Sequence, residues 1–359
     1  MTEPLGVSAV AEPKQDQRRS GGRGKWKRRL RRTVVAVLAV VVALLGISTG
    51  VNQAANAIGL AKLDVPGELV EVDGEARMHV YSRAEHSGGP TLVFLSGMGE
   101  GSAYYELKSV WEPLAEDFNI ATVDYLGYGF SDTTAKERSN QNVATEIHAA
   151  LHGAGVEGLY VLVAHSIGGL YAMEFAELYS DEVAGFVGLD SSSPGQQAAE
   201  DYEGDLAADG GLHPTMTVLR FMGLVRVERW INGDDSVYLP ANPLLDEAEQ
   251  DQDWLLDNAE LDLRLLDDEV SWFTRNDLAL AGQRFDAAIP TLMVLAQDTV
   301  EVTRELGMPD WVEVHRAVAS EHPQSRVVTL DGSHAIYLDA PDHVVGQIRQ
   351  FLAGNEVGL

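Results

Sequence analysis

Six positions in this chain carry side chains suited to proton and acyl chemistry, and each falls where an apolar run ends. They are Ser166 with His165 in "LYVLVAHSIGGLYAMEFAELY", Asp190 in "VAGFVGLDSSSP", Asp298 in "PTLMVLAQD", His334 in "SRVVTLDGSH" and Asp124 in "NIATVDYLGYG". A serine hydroxyl is a weak nucleophile until a base takes its proton. Ser166 lies between an apolar run and a helical pattern, with Gly168 and Gly169 behind it, the arrangement of a sharp strand-to-helix turn that exposes its central side chain. Position 164 is Ala where the G-x-S-x-G pattern has Gly, a change of one methyl group.

The base is expected late in the chain, and His334 has that place. His165 adjoins Ser166 but points another way in a sharp turn, so a supporting role is expected of it. The acid that orients the imidazole has two candidates. Asp298 ends the run before the last helix–strand unit and is the preferred one; Asp190, followed by small polar residues, is the alternative. Stabilising the developing oxyanion needs two backbone N–H groups. Ile167, after the nucleophile, and Met98, in the glycine-rich "SGMGEGS" after "PTLVFLSG", are the expected donors.

Apolar runs that alternate with helical patterns position these residues. From Glu68 the chain reads as a hairpin about Asp73-Gly74, and strands follow at Pro90–Gly97, Asn119–Gly129, Leu159–Ser166, Val183–Pro194, Pro290–Asp298 and Ser325–His334. Helices are expected at Ser102–Asp117, Asn140–Gly153, Ile167–Tyr179, Trp311–Glu321 and Pro341–Leu352. This is an α/β pattern, a mostly parallel sheet covered by helices on both faces, whose ligands sit beyond the carboxyl ends of the strands. Residues 195–289 break the rhythm. The apolar "HPTMTVLRFMGLVRVERW" and a very acidic stretch from Asp246 to Glu269 read as a helical cap over the active edge. Met216, Phe221, Met222 and Trp230 are expected to line an acyl pocket there, with Leu219 and Leu224 beside them.

The chain has 359 residues and no cysteine, which excludes disulfides and thiolate chemistry. Residues 1–32 hold ten Lys/Arg and three Asp/Glu. Of the 26 basic and 55 acidic residues, 16 and 52 therefore remain in the body, a net of −36. Such a body is expected to repel nucleic acid and anionic membrane surfaces. Residues 1–32 read as a disordered basic cytoplasmic tail. The charge-free Thr33–Ile47, within an uncharged stretch 33–61, follows the basic Gly24–Arg32. It reads as a signal-anchor that leaves the body outside the cytoplasm, or as a signal peptide cleaved after Ala55-Asn56-Ala57 and released with secretion. No metal or cofactor motif is present, and none is expected.

With "LSGMGEGSAYY", "VDYLGYGFSD", "LVAHSIGGLYAMEFA", "VGLDSSSP" and "GSHAIYLDAPDHV" in this order, the sequence from about Glu68 to Leu352 resembles the alpha/beta-hydrolase superfamily, and among its branches the membrane-anchored or exported bacterial members. The resemblance implies an eight-stranded, mostly parallel sheet with core segments 62–194 and 290–359 and the cap 195–289 between them. It also implies a Ser-His-Asp hydrolase acting on a small acyl ester or lipid. An acyltransferase, a C–C hydrolase and a non-catalytic ligand-binding module stay open as alternatives. Oligomeric state is not legible.

Overall fold

The computed structural model describes residues 21–72, 74, 76–196, 213–233 and 242–354. Residues 1–20 of the expected tail 1–32, the turn residue Asp73 and parts of the 195–289 insertion lie outside them. Eight strands form one sheet in the order β1-β2-β4-β3-β5-β6-β7-β8. They are β1 (Glu68–Val72), β2 (Ala76–Arg83), β3 (Thr91–Leu95), β4 (Asn119–Val123), β5 (Tyr160–His165), β6 (Val183–Leu189), β7 (Thr291–Ala296) and β8 (Arg326–Leu330). β1, β2 and β4 pair antiparallel, and every other neighbour is parallel.

Alternate residues of the central strands feed two cores, as the period of two requires. Val93 and Leu95 of β3 and Leu162 and Ala164 of β5 face α4 (Asn140–Gly153) and α5 (Gly168–Leu178). Leu92, Phe94, Val161 and Val163 face α3 (Lys108–Leu114) and α13 (Pro341–Gly354). Both sheet faces are therefore covered, and the charge-free strands are buried on both sides.

The expected helix at Ser102–Asp117 is two pieces, α2 (Ala103–Glu106) and α3, which meet at Leu107. The apolar segment of the insertion is likewise two helices, α6 (His213–Phe221) and α7 (Leu224–Asn232), broken at the left-handed Gly223. Two longer helices follow, α8 (Glu247–Ala259) and α9 (Leu263–Ala279). Asp246 caps α8 through a reciprocal capping box with Glu249. α9 lies across the carboxyl edge of the sheet. Its buried Glu269 accepts hydrogen bonds from Tyr128 and Tyr171, and Leu265 and Leu266 pack on the loops at Gly127 and Gly99.

The N-terminal stretch forms one helix, α1 (Gly21–Leu60), so residues 21–32 are helical where a disordered tail was expected. It is long and apolar enough to cross a membrane, and its apolar window is unburied. Its C-terminal end rests on α6, α7 and α8. After β7 the chain forms α10 (Gln297–Glu305), which the sequence reading missed, then α11 (Trp311–Val318) and the short α12 (Ile336–Asp339).

Candidate active site

Ser166 follows the last residue of β5 and takes φ 49, a left-handed conformation that non-glycine residues rarely adopt. Such strain persists only where the surroundings impose it. The surroundings here are close: a Cβ on Gly168 would lie 2.9 Å from Ser96 O, and one on Gly169 would lie 2.4 Å from Ser192 O. Ala164, by contrast, is inside β5 between Leu95 and Gly188, where an extended backbone accepts a methyl group. The steric demand for glycine thus falls after the serine, and the missing glycine before it is tolerated.

Sheet register sets the partners. His165 pairs with Leu189, so Ser166 and Asp190 are each the next residue past adjacent strand ends. His334 reaches both from the loop after β8. Its Nε2 is 3.0 Å from Ser166 Oγ, and its Nδ1 is 2.7 Å from Asp190 Oδ2. Asp190, also at positive φ, is fully buried and accepts three further hydrogen bonds. These come from Ala296 N at 3.0 Å, Thr299 Oγ1 at 2.5 Å and Trp311 Nε1 at 3.0 Å. Burial, the largest single influence, pushes this carboxyl up, but the bonds from His334, Thr299 and Ala296 outweigh it and hold it below the usual range.

The preferred acid, Asp298, is not at this position. Leu189 pairs with Val294, and β7 then continues through Ala296 before turning into α10. Asp298 falls in the first turn of α10, with its side chain exposed. Its backbone N–H donates to Gly332 O at 3.1 Å, which ties down the histidine loop. Thr299 and Trp311, neither signalled by the sequence pattern, are the residues that α10 and α11 bring to the acid.

The loop after β3 lies against the elbow. Gly97 N donates to Glu100 Oε2 at 2.5 Å and Gly99 N to Tyr128 Oη at 3.0 Å, so the N–H groups on both sides of Met98 are occupied by side chains. The N–H groups of Met98 and of the buried Ile167 remain the candidate donors to an oxyanion. His165 is buried beneath this loop. Its Nδ1 is 2.7 Å from Glu100 Oε1 and its Nε2 3.1 Å from His334 O, so it links the loop after β3 to the histidine loop. Burial lowers its pKa, but Glu100 more than compensates and raises it. Asp124 is structural: it accepts from Ser102 Oγ, Ala103 N and Phe130 N and faces His79.

The expected acyl pocket is also revised. Phe221 and Trp230 are exposed, and Met216 and Met222 are half-buried. Phe221 does border a cavity of about 610 Å³, but with Gln53, Asn56, Phe130 and Arg220, and without Ser166, His334 or Asp190. The helix-spaced apolar face of α6 and α7 is turned outward beside α1 instead of inward.

Among the described residues two groups of donor side chains lie close enough together to hold an ion: His148, His152 and Glu182; and Glu106, Asp253 and Asp257. Neither contains a residue of the serine site. In the second group burial, with repulsion from neighbouring carboxylates adding to it, raises Glu106 and Asp253 well above the usual range; burial also pushes Asp257 up to about 7, against the opposing pull of Arg220. The folded chain therefore binds more protons here than the unfolded chain. The stability this confers is complete below the unfolded value of about 3.9 and is lost as pH rises through about 7. Asp257→Asn is expected to flatten the decline of Tm over that window. Parallel Tm–pH curves for wild type and variant would refute the assignment.

The sequence profile of the alpha/beta hydrolase family matches residues 92–347. The chain belongs to the alpha/beta hydrolase family. Its hydrolase fold, a mostly parallel eight-stranded sheet with helices on both faces, is the one expected from the sequence. An uncharacterized protein, YbdG, of Bacillus subtilis (strain 168) is 36% identical over 136 residues, 38% of this chain and 41% of that one. The putative carbamate hydrolase RutD of Escherichia coli O1:K1 / APEC is 33% identical over 105 residues, 29% of this chain and 38% of that one. The chain thus matches less than half the length of these curated relatives. Epoxide hydrolase A from Mycobacterium thermoresistibile superposes with a TM-score of 0.59 at 19% identity, covering 80% of this chain and 98% of that one, a likeness of fold alone.

Proposed function

We propose that this alpha/beta hydrolase is a serine hydrolase of carboxylic esters, with Ser166 as nucleophile, His334 as general base and acid, and Asp190 as the orienting acid. The observation that carries the reading is the bridging imidazole, 3.0 Å from Ser166 Oγ on one side and 2.7 Å from Asp190 on the other. Ser166 Oγ attacks the acyl carbon as its proton passes to His334 Nε2. The N–H groups of Met98 and Ile167 receive the negative oxygen. The tetrahedral species expels the alcohol, which takes the proton from His334, and leaves an acyl-serine. Water, deprotonated by His334, repeats the cycle and frees the acid.

A fluorophosphonate probe is expected to label the wild-type chain and not Ser166→Ala, with p-nitrophenyl ester hydrolysis lost in parallel. Labelling that persists in Ser166→Ala removes the assignment. Carbamates, the class named for the RutD relative, belong in the same substrate panel.

α1 serves in this reading as an uncleaved anchor that leaves the catalytic body outside the cytoplasm. Its support is the docking of α1 on the body. Asn52 is buried and bonds Arg220 and Arg226, and Asn56 bonds Arg226. Cleavage after Ala57 would remove those partners. Mass spectrometry of the mature N-terminus tests it, and a start at Ile58 would overturn it.

A further inference from the structure

The exposed apolar face of α6 and α7 calls for an occupant. Val218, Phe221, Val227, Trp230 and Ile231 are all exposed within one short stretch, Trp230 by 85%. An isolated exposed apolar residue needs no explanation, but five large ones between Val218 and Ile231, on two short successive helices, do.

Its position along α1 identifies the occupant. A helix crosses the hydrocarbon core, about 30 Å thick, in about 20 residues. Counted from Thr33, next to the last residue of the basic cluster, that length ends at Asn52. The turn between α6 and α7 contacts α1 at this level: a Cβ on Gly223 would lie 2.6 Å from Asn52 Cβ and 3.0 Å from Ser48 O. The contact is fixed by hydrogen bonds. Asn52 Nδ2 donates to Arg220 O at 2.8 Å, and Arg226 Nε and Nη2 donate to Asn52 Oδ1 at 2.8 Å and Asn56 Oδ1 at 2.5 Å. α6 and α7 are thereby held at the height where α1 leaves the hydrocarbon.

Composition agrees. Glu228 is the single acid among residues 213–233, and the three arginines there are turned to the body: Arg220 is buried, and Arg226 and Arg229 lie over the Trp254 ring. Exposed Trp and Phe beside a helix of membrane-spanning length fit the aromatic enrichment of bilayer interfaces.

We infer that α6 and α7 form a membrane-contact face, with Phe221, Trp230 and Ile231 seated in the interfacial layer of the leaflet from which α1 emerges. The inference rests on the reading of α1 as an uncleaved anchor and is independent of the esterase assignment. Because the insertion also carries α9 across the carboxyl edge of the sheet, this contact fixes the height and tilt of the active edge over the lipid surface.

The chain has no cysteine, so Trp230→Cys supplies a unique thiol at an exposed position. The full-length variant, labelled with an environment-sensitive fluorophore and reconstituted in phosphatidylcholine–phosphatidylglycerol vesicles, is compared with Glu157→Cys in the exposed loop before β5. Vesicle flotation is measured on the same samples. The expected result is flotation of both, with the label at 230 blue-shifted, quenched by a spin-labelled lipid and several-fold less quenched by iodide than the label at 157. Ile231→Cys should repeat it. A label at 230 as open to iodide as that at 157, in protein that floats, overturns the inference. Protection that rises with the protein-to-lipid ratio overturns it in favour of a second copy of the chain. Protein that does not float overturns it together with the anchor, whatever the ester hydrolysis of the sample.

Discussion

Asp190→Asn is expected to lower kcat by about four orders of magnitude, while Asp298→Asn stays near wild type. An amide keeps one oxygen for Ala296 N and Trp311 Nε1, so the loop is retained. Its nitrogen, however, now faces Thr299 or His334 as a donor. The imidazole is then best satisfied with Nδ1 as acceptor, which puts the proton on Nε2, and Ser166 loses the base that should accept its proton. The depressed pKa of Asp190 acts in the same sense, because the folded protein stabilises this carboxylate in its ionised form. The exposed side chain of Asp298 has no such part, and its backbone bond to Gly332 survives substitution. Steady-state kinetics of both variants, with thermal melts to exclude unfolding, check this. Equal losses, or an active Asp190→Asn, would remove Asp190 from the proposed role.

The difference between these two aspartates marks where the sequence becomes silent. The turn at Ser166 was legible because its signals are local: an apolar run, a serine and two glycines within one short stretch. The strands and their order along the chain were legible for the same reason, and so was the late histidine. Which aspartate meets that histidine depends on how far β7 runs past β6, and register is a property of two strands together. "AQDTVEV" reads as a strand end, but Gln297 already begins α10, which carries the Asp298 side chain outward and Thr299 toward Asp190. The apolar face of α6 and α7 shows the same limit in another form. Periodicity in "HPTMTVLRFMGLVRVERW" marks an apolar face without saying what covers it. The residues that decide its direction, Asn52 and Asn56, are about 170 positions away in the chain. Glu100, the partner of His165, is 65 positions away from it, in a glycine-rich loop whose pattern does not single it out.

Gly169→Ala is expected to destabilise the fold by about 2–3 kcal/mol, at the upper end of overpacking costs. For a domain of this size that is a fall in Tm of roughly 5–10 °C. The added Cβ would lie 2.4 Å from Ser192 O and 2.8 Å from Ser191 Cβ. The first is a backbone atom whose own N–H donates to Ser166 O at 2.7 Å, so it has no free side-chain torsion with which to yield. Relief must come from moving α5 away from the segment after β6. That segment begins at Asp190, so the strain passes directly to the separation of Ser166 and the acid. A change of about 1 Å in such a constellation costs on the order of 100-fold in rate, and kcat should fall even at temperatures where the variant is fully folded. Ala164→Gly, at the position where the pattern departs from G-x-S-x-G, supplies the contrast. It removes a buried methyl group from a strand interior, and only the conformational cost of glycine, about 0.5–1 kcal/mol, and about 0.8 kcal/mol for the lost methyl burial are expected, with the rate maintained. If Gly169→Ala melted with the wild type and kept its kcat, the close packing of the elbow against the acid's loop would not be what holds Ser166 in its strained conformation.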